Sequence, residues 1–441
     1  MIDPKNLREN PKIYYESCKA RGFDSAVLDR FFDLDMEWRN ALKQLNNLKH
    51  EKNLLTSNIA KNVKEGLDSG IDRNEVKSLN NSIEELEKRI ATLEAERDGV
   101  LKTIPNLLHP SVPICKGDEN NQFVRFSGNA GVFQEDLDYF RNETRGTGES
   151  HILVARPESH VDMMARLGIA DLERAGRSAG ARFFYLKNRL VKLELALVNF
   201  AIDFLAERGF EILEPPFMLN FQAMDGATDL ETFKDTLYKI EGEDLYLIST
   251  SEHPIAAYYM GEILDENKLP ARFAGVSPCF RKEAGAHGKD TKGIFRVHQF
   301  TKIEQFIYCK PEHSWDFLEE ILGNAEDIYK KLGIPYRVVN ICSGELGNLA
   351  AKKYDIEAWF PAQGKFREVV SASNDTDYQA RSLNIRYRTK EGNKFVHTLN
   401  STAIATTRTI VAIMENFQED GGFRIPSALI PYAGFDFVGP D

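Results

Sequence analysis

The chain has little cysteine and no cysteine pattern. Cys18, Cys115, Cys279, Cys309 and Cys342 are scattered, odd in number and form no CxxC. That excludes a disulfide framework and leaves no ligand set for a structural zinc. Nine histidines make no HExxH pair, so a zinc-protease helix is excluded as well. No apolar run approaches the roughly 20 residues that cross a bilayer. The first residues, MIDPKNLRENPK, lack the apolar centre of a signal peptide. A cytoplasmic protein that does not enter membranes is expected. GxxxxGK[ST] is missing, since GAHGKD around Gly285 has the wrong spacing and ending, and no GxGxxG follows a strand. Any nucleotide must therefore be gripped by side chains rather than by a glycine loop. An excess of base is also missing. The net charge of −11 argues against a general nucleic-acid binder, though a local basic face can still hold RNA.

What is present fills 441 residues, enough for two or three domains. Asp3-Pro4 signals a helix start within a first region of one or two short helices. A long helix is expected over 27–63, with Trp38, Leu42, Leu45, Leu55, Ile59 and Val63 on one stripe that Lys49 and Lys52 interrupt. Residues 64–74 read as a turn. A second helix, 75–103, carries the seam Val76, Leu79, Ile83, Leu86, Ile90, Leu93, Arg97, Val100, Ile104. The spacing alternates three and four, a heptad repeat, and Pro105 ends it. The pair predicts an antiparallel two-helix coiled-coil arm, projecting from the body of the protein. Its first helix carries Arg39, Lys43, Lys49, Lys52, Lys61 and Lys64 from residue 38 to 64, against the single acid Glu51. That side suits a phosphate backbone; a spacer or dimerisation arm with solvated lysines fits the same residues.

After the connector NLLHPSVP (106–113), residues 117–150 are polar and read as loop or short edge elements. From Ala181 strands and helices alternate. Strands are expected over 183–186, 210–213, 246–249, 271–280, 296–308, 336–341, 366–372, 382–388 and 394–399, and helices over 190–208, 315–332 and 407–419. Hairpins and long excursions predict an α+β fold, an antiparallel sheet flanked by helices.

The stretch FRKEAGAHGKDTKGIFRVHQFTKIE (280–304) reads as two β-prone arms around a charged loop. On strands, Arg281 and Glu283 would share a face, as would Phe300, Lys302 and Glu304. Two forked cations, two carboxylates and a flat ring can hold a phosphate, an amino group and a planar base; a charged surface hairpin explains the same residues. Arg408 lies where small residues run into an amphipathic helix, and Glu368 and Ser371 lie on a strand. A carboxylate there can share Mg²⁺ with phosphate oxygens; a structural salt bridge is the alternative.

The order of these motifs resembles that of class II aminoacyl-tRNA synthetases. Residues 190–216 resemble motif 1, 278–304 motif 2 and 400–417 motif 3. Within that class Thr250-Ser251-Glu252, CFRKEAG, RVHQFTKIEQF, REVVSASN, DYQAR, HTLNST and MENFQ are similar to the signatures of the seryl-tRNA synthetase family. The resemblance implies two domains, a tRNA-binding one over 1–105 and a catalytic one over 106–441. It implies ATP and Mg²⁺ as cofactors, and L-serine and tRNA(Ser) as partners, with tRNA(Sec) as a further candidate acceptor. It also implies a homodimer formed through motif 1. Arg281 would bind the α-phosphate and the serine carboxylate, Glu283 the adenine amino group, and Arg408 the γ-phosphate. Phe300 would stack on the base, with Lys282 and the Val297 backbone beside it. Glu368, Val369, Val370 and Ser371 would line the phosphates, Glu368 and Ser371 holding the metal. Thr250, Ser251 and Glu252 would take the serine ammonium, and Glu304 and Thr402 its hydroxyl. Arg39, Lys43, Lys49 and Lys52 would face tRNA. The loop with His287, Lys289 and Lys292 would approach ATP and the tRNA acceptor end.

Two departures stand out. Asn400-Ser401-Thr402 replaces the family's Asn-Gly-Ser, and Ala and Thr replace glycines beyond it. Residues 117–165 are longer and more irregular than the family pattern. Two other functions share parts of it. A synthetase-like ligase for a carrier protein would lack the arm; a silent paralogue would lack Arg281, Glu283 or Arg408.

Overall fold

A computed structural model describes residues 1–66, 70–147, 151–228, 230, 234–283 and 292–440, with side chains from Asn74 in the helix that begins at Gly70. Two compact units divide at Pro105: Met1–Pro105 and Asn106–Asp441.

The described part of the first unit is helical. Asp3 caps the helix Pro4–Glu9 through the Lys5 and Asn6 amides, the role an acceptor side chain plays before a proline-led first turn. Pro11–Arg21 follows and stops at Gly22, whose φ of 72° suits glycine. Two long helices come next, Ala26–Lys64 and Gly70–Thr103. At 1.5 Å per residue they are about 58 and 51 Å long. They pack through Ala41, Leu45, Ile83, Ile90 and Leu93, with Leu34, Trp38, Leu42, Leu48 and Leu86 around them. The polar seam residue, Arg97, is buried. Its guanidinium lies 3.9 Å from the Trp38 ring centroid, where cation–π attraction offsets part of the cost of burial. The turn is tighter than its Gly/Ser/Asp content suggested: the second helix starts at Gly70, not near Glu75. Val63, expected on the stripe, is exposed.

The second unit is built on an eight-stranded sheet. In chain order its strands are β1 (Gln122–Ser127), β2 (Glu211–Leu213), β3 (Ala271–Phe280), β4 (Gln299–Cys309), β5 (Tyr336–Asn340), β6 (Lys352–Phe360), β7 (Lys365–Thr376) and β8 (His397–Ala405). Their order across the sheet is β1-β5-β6-β7-β8-β4-β3-β2. All neighbours are antiparallel except β2 and β3. The chain is thus of the expected α+β class.

Strand alternation divides the sheet into two faces. Along β4, Ile303, Ile307 and Cys309 enter a core shared with helices Arg189–Ala206, Ser314–Leu332 and Thr406–Asn416. Lys302 and Glu304 point the other way. Further along that second face, Phe306 and Tyr308 pack with Ile255 and Phe273 in a separate cluster.

Four expectations need correction. β6 was not expected: KKYDIEAWF has charged residues on one side and a buried set on the other, and it forms a strand because β5 and β7 flank it. The 117–150 segment supplies a short edge element as expected, β1, but also an unexpected helix, Leu137–Glu143, whose Phe140 packs with Trp359 and Phe366. The return arm of the 280–304 hairpin begins at Gln299 rather than at Arg296, and Arg281 and Glu283 lie beyond the end of β3 instead of on a strand. β8 runs on to Ala405 through the small residues Asn400–Ala405, where a strand ending at Leu399 was expected, while the helix begins at Thr406, within one residue of expectation.

Candidate active site

Three β-bulges shape the cleft face of the sheet. Ile356 pairs with Val370 but Glu357 with Glu368, which leaves Val369 as an extra residue in β7. Asp375 is extra between Asn374 and Thr376. Ala403 is extra in β8, where Ile303 faces Ile404 and Glu304 faces Thr402. Each bulge reverses the alternation beyond it. Glu368 and Ser371 are three apart, and on a regular strand they would face opposite ways. The bulge at Val369 puts both on the face of their partners Glu357 and Asp355. The bulge at Ala403 lets Thr402 share a face with Asn400 while Ile404 turns into the core.

Over this face lies a cleft of about 410 Å³. Thr250, Glu252, Arg281, Glu283, Glu368 and Arg408 all line it. Arg281 is held by its own backbone amide on the His298 carbonyl (2.9 Å) and by Nε on the Ser249 carbonyl (3.3 Å). Its guanidinium sits 5.2 Å from the Phe300 ring centroid. Glu283 has a φ of 51°, an uncommon conformation for a residue with a side chain. Arg296 donates to its Oε2 at 2.6 Å. The two are therefore joined through an ion pair in the connecting segment rather than by strand alternation. Arg408, in the first turn of Thr406–Asn416, donates to the Glu368 carbonyl at 2.9 Å and lies 3.2 Å from its carboxylate.

A second cleft of about 570 Å³ shares Arg296, Glu368 and Arg408 with the first. Asp355 lines it, and its carboxyl is pushed up to about 7 by burial, with Glu368 adding to the rise and Lys353 opposing it. Surrounding protein also raises the Glu368 carboxyl, but Arg408, Lys353, Arg281 and Arg296 outweigh this and hold it below its ordinary value. Its side chain is 47% exposed. An ionised, reachable carboxylate and the buried, unpartnered Oδ1 of Asp355 suit a divalent cation shared with phosphate oxygens.

The remaining expected site residues are not at the cleft surface. Glu304 and Thr402 are buried beside it, with Thr402 Oγ1 donating to Glu304 Oε2 at 3.4 Å. Ser251 is turned away and donates to the Gly275 carbonyl at 3.1 Å. The Val297, Val369 and Val370 side chains lie in the core, which leaves only their backbones for a ligand. Lys282 is exposed with its ammonium 5.6 Å from the Tyr238 ring. Ser371 lies opposite Asp355 across β6 and β7. On the arm, Arg39 and Lys43 are exposed, Lys52 is half-buried and Lys49 pairs with Glu87 at 2.7 Å. His287 and Lys289 lie outside the described residues.

Several residues had no assigned role. Lys302 is buried in an ion pair with Glu304. His253, Asp375 and Asn400 line the first cleft. Gln379 donates to Glu252 Oε1 at 2.9 Å. The even spacing of Phe300, Lys302 and Glu304 was a signal for Lys302. The others come from separate elements, and only the fold joins them.

Residues 1–108 match the seryl-tRNA synthetase N-terminal domain, and residues 233–417 match the tRNA synthetase class II core domain (G, H, P, S and T). The chain is 64% identical to the serine–tRNA ligase of Picrophilus torridus, over the whole of both chains. The crystal structure of seryl-tRNA synthetase from Pyrococcus horikoshii complexed with ATP superposes with a TM-score of 0.96 at 49% identity, covering all of both chains. The cytoplasmic serine–tRNA ligase of Naegleria fowleri, in complex with AMP, gives 0.84 at 40% identity, over 98% of this chain and 96% of that one. The chain belongs to the seryl-tRNA synthetase family.

Proposed function

We propose that the protein joins L-serine to ATP, giving seryl-adenylate and pyrophosphate, and then transfers serine to the 3′-terminal ribose of tRNA(Ser). The carrying observation is the meeting in one cleft of Arg281, Glu368 and Arg408 with Thr250 and Glu252. The first three suit phosphates and their metal; the last two suit an amino group.

Attack of the serine carboxylate on the α-phosphorus needs no protein nucleophile. It needs in-line placement and cancellation of charge on the phosphorus oxygens. Arg281 would bind the α-phosphate and the serine carboxylate, its fork meeting two oxygens at once. Arg408 would clamp the γ-phosphate. Phe300 would stack on adenine, and Glu283 would accept from its amino group. Glu368 and Ser371 would hold Mg²⁺, with the backbone of Val369 and Val370 beside them; the ion supplies charge neutralisation to the phosphates. In the second step the ribose hydroxyl attacks the seryl carbonyl and AMP leaves.

Glu252 and Thr250 would take the serine ammonium, and Glu304 with Thr402 its hydroxyl. Alanine in place of serine would leave Glu304 without that partner. Glu304→Ala is expected to raise the KM for serine on the order of 10²-fold and leave the KM for ATP within about 3-fold, as read by pyrophosphate exchange. Equal losses for both substrates would make Glu304 a structural residue only.

Residues 1–105 would bind tRNA through the arm, Arg39 and Lys43 meeting phosphates, and residues 106–441 would carry catalysis. Leu195, 57% exposed on the motif 1 helix Arg189–Ala206, supports a homodimer through that helix. Pyrophosphate exchange with each amino acid, followed by serylation of tRNA(Ser), tests the reading. Exchange with alanine or glycine but not with serine overturns it.

A further inference from the structure

The amino-acid end of the cleft has more acid than base. Glu252 comes from the start of the helix Glu252–Ala256, Glu304 from β4 and Asp375 from the bulge in β7. Two cations face Glu252. Lys302 is already ion-paired with Glu304. Arg281 lies over Phe300 and is bound to the Ser249 carbonyl. The next residue along, His253, is buried and uncharged: burial, Lys302 and Arg281 drive its imidazole down to about 3. Gln379 donates to Glu252 and Asn400 donates to Asp375, but amides bring no charge. Among the described residues Glu252 has no ion-pair partner. A half-buried carboxylate near a second one takes up a proton more readily than an exposed one does. Accordingly burial and Glu304 push the Glu252 carboxyl up to about 7, against the opposing pull of Lys302, Gln379 and Arg281. Burial and Glu252 raise Asp375 well above its ordinary value.

We propose that in the free amino-acid pocket Glu252 holds a proton, and that the arriving serine ammonium expels it. This rests on reading the cleft as a serine site. The ammonium is the ion-pair partner that Glu252 lacks. Once it is bound Glu252 can ionise, and the proton passes to the buffer. Below about pH 7 Glu252 is protonated in the free pocket, so binding must displace the proton and weakens as pH falls. Well above pH 7 Glu252 is already ionised and releases nothing.

Calorimetry of the full chain tests this with the seryl sulfamate of adenosine, a stable seryl-adenylate analogue. Titration at pH 6 in two buffers of different ionisation heat should show release of about one proton per site. The same analogue without its amino group should release none. Glu252→Gln should bind the amine analogue with little or no release. Equal heats in the two buffers for the amine analogue, or equal release by both analogues, would overturn the proposal. The analogue pair supplies this comparison in the unaltered protein even if Glu252→Gln fails to fold. Serine-dependent pyrophosphate exchange on the same preparation separates the two readings. Exchange without proton release rejects the proton coupling alone. No exchange with serine rejects the serine site, and the coupling with it.

Discussion

Replacing Arg281 with alanine should slow serine-dependent pyrophosphate exchange by about 10²–10³-fold, the usual effect of removing one preorganised group that meets developing charge. The guanidinium is placed before any ligand arrives. Its backbone is fixed on His298, its Nε on Ser249, and its guanidinium lies over Phe300. No reorganisation is then needed when charge builds on the α-phosphate. Lysine should rescue little, because a point charge lacks the fork and the flat face. Arg281→Lys is expected within about 10-fold of Arg281→Ala. The measurement is kcat/KM for exchange, with the melting midpoint as a check on folding. An alanine variant within 10-fold of the parent would show that the phosphate charge is met elsewhere, with Arg408 the first alternative.

Shortening the arm should separate the two half-reactions. Lys49 and Glu87 form an ion pair between the long helices and mark a level at which to cut. Replacing residues 50–86 with a short glycine–serine turn keeps Ala41, Leu45, Ile90 and Leu93 and the contact of Arg97 with Trp38. The stump therefore retains part of its own core. Pyrophosphate exchange should stay within about twofold of the parent, because adenylate formation needs only the cleft. Serylation of tRNA should fall on the order of 10³-fold, the scale expected when several phosphate contacts are lost together. If charging survived, tRNA would be held by the second unit, and the basic side of Ala26–Lys64 would be no more than a solvated face.

The sequence was most legible where one pattern ran without interruption. β3 was placed to the residue over Ala271–Phe280, and Ser314–Leu332 to within one. The heptad seam of the second long helix, from Ile83 to Val100, is the buried side of that helix. Legibility failed where both sides of an element carry information. In β6, Asp355 and Glu357 face the cleft side, while Ile356, Ala358, Trp359 and Phe360 are buried. The two-residue period of Tyr354, Ile356, Ala358 and Phe360 is there, but the acids between them and the buried Trp359 on the opposite face obscure it. At the site, motif order suggested which residues to examine but not how they meet. Alternation placed Arg281 with Glu283, yet neither lies on a strand, and Glu283 is met by Arg296 across the connecting segment. Lys302, His253, Asp375 and Gln379 depend on partners far off in the chain, so their part in the pocket's charge is a property of the fold.

The bulges at Val369, Asp375 and Ala403 also bear on how the chain reaches its native pairing. A regular strand can slip by two residues and keep every side chain on its own face, so hydrophobic burial alone penalises the mistake weakly. A bulged strand cannot. Its extra residue must meet a local widening of the ladder, and a slip leaves that residue with nowhere to sit. With β7 and β8 carrying three such residues between them, the central strands have one comfortable alignment. The same irregularities that aim Glu368, Asp375 and Thr402 thus guard the sheet against misregistered folding.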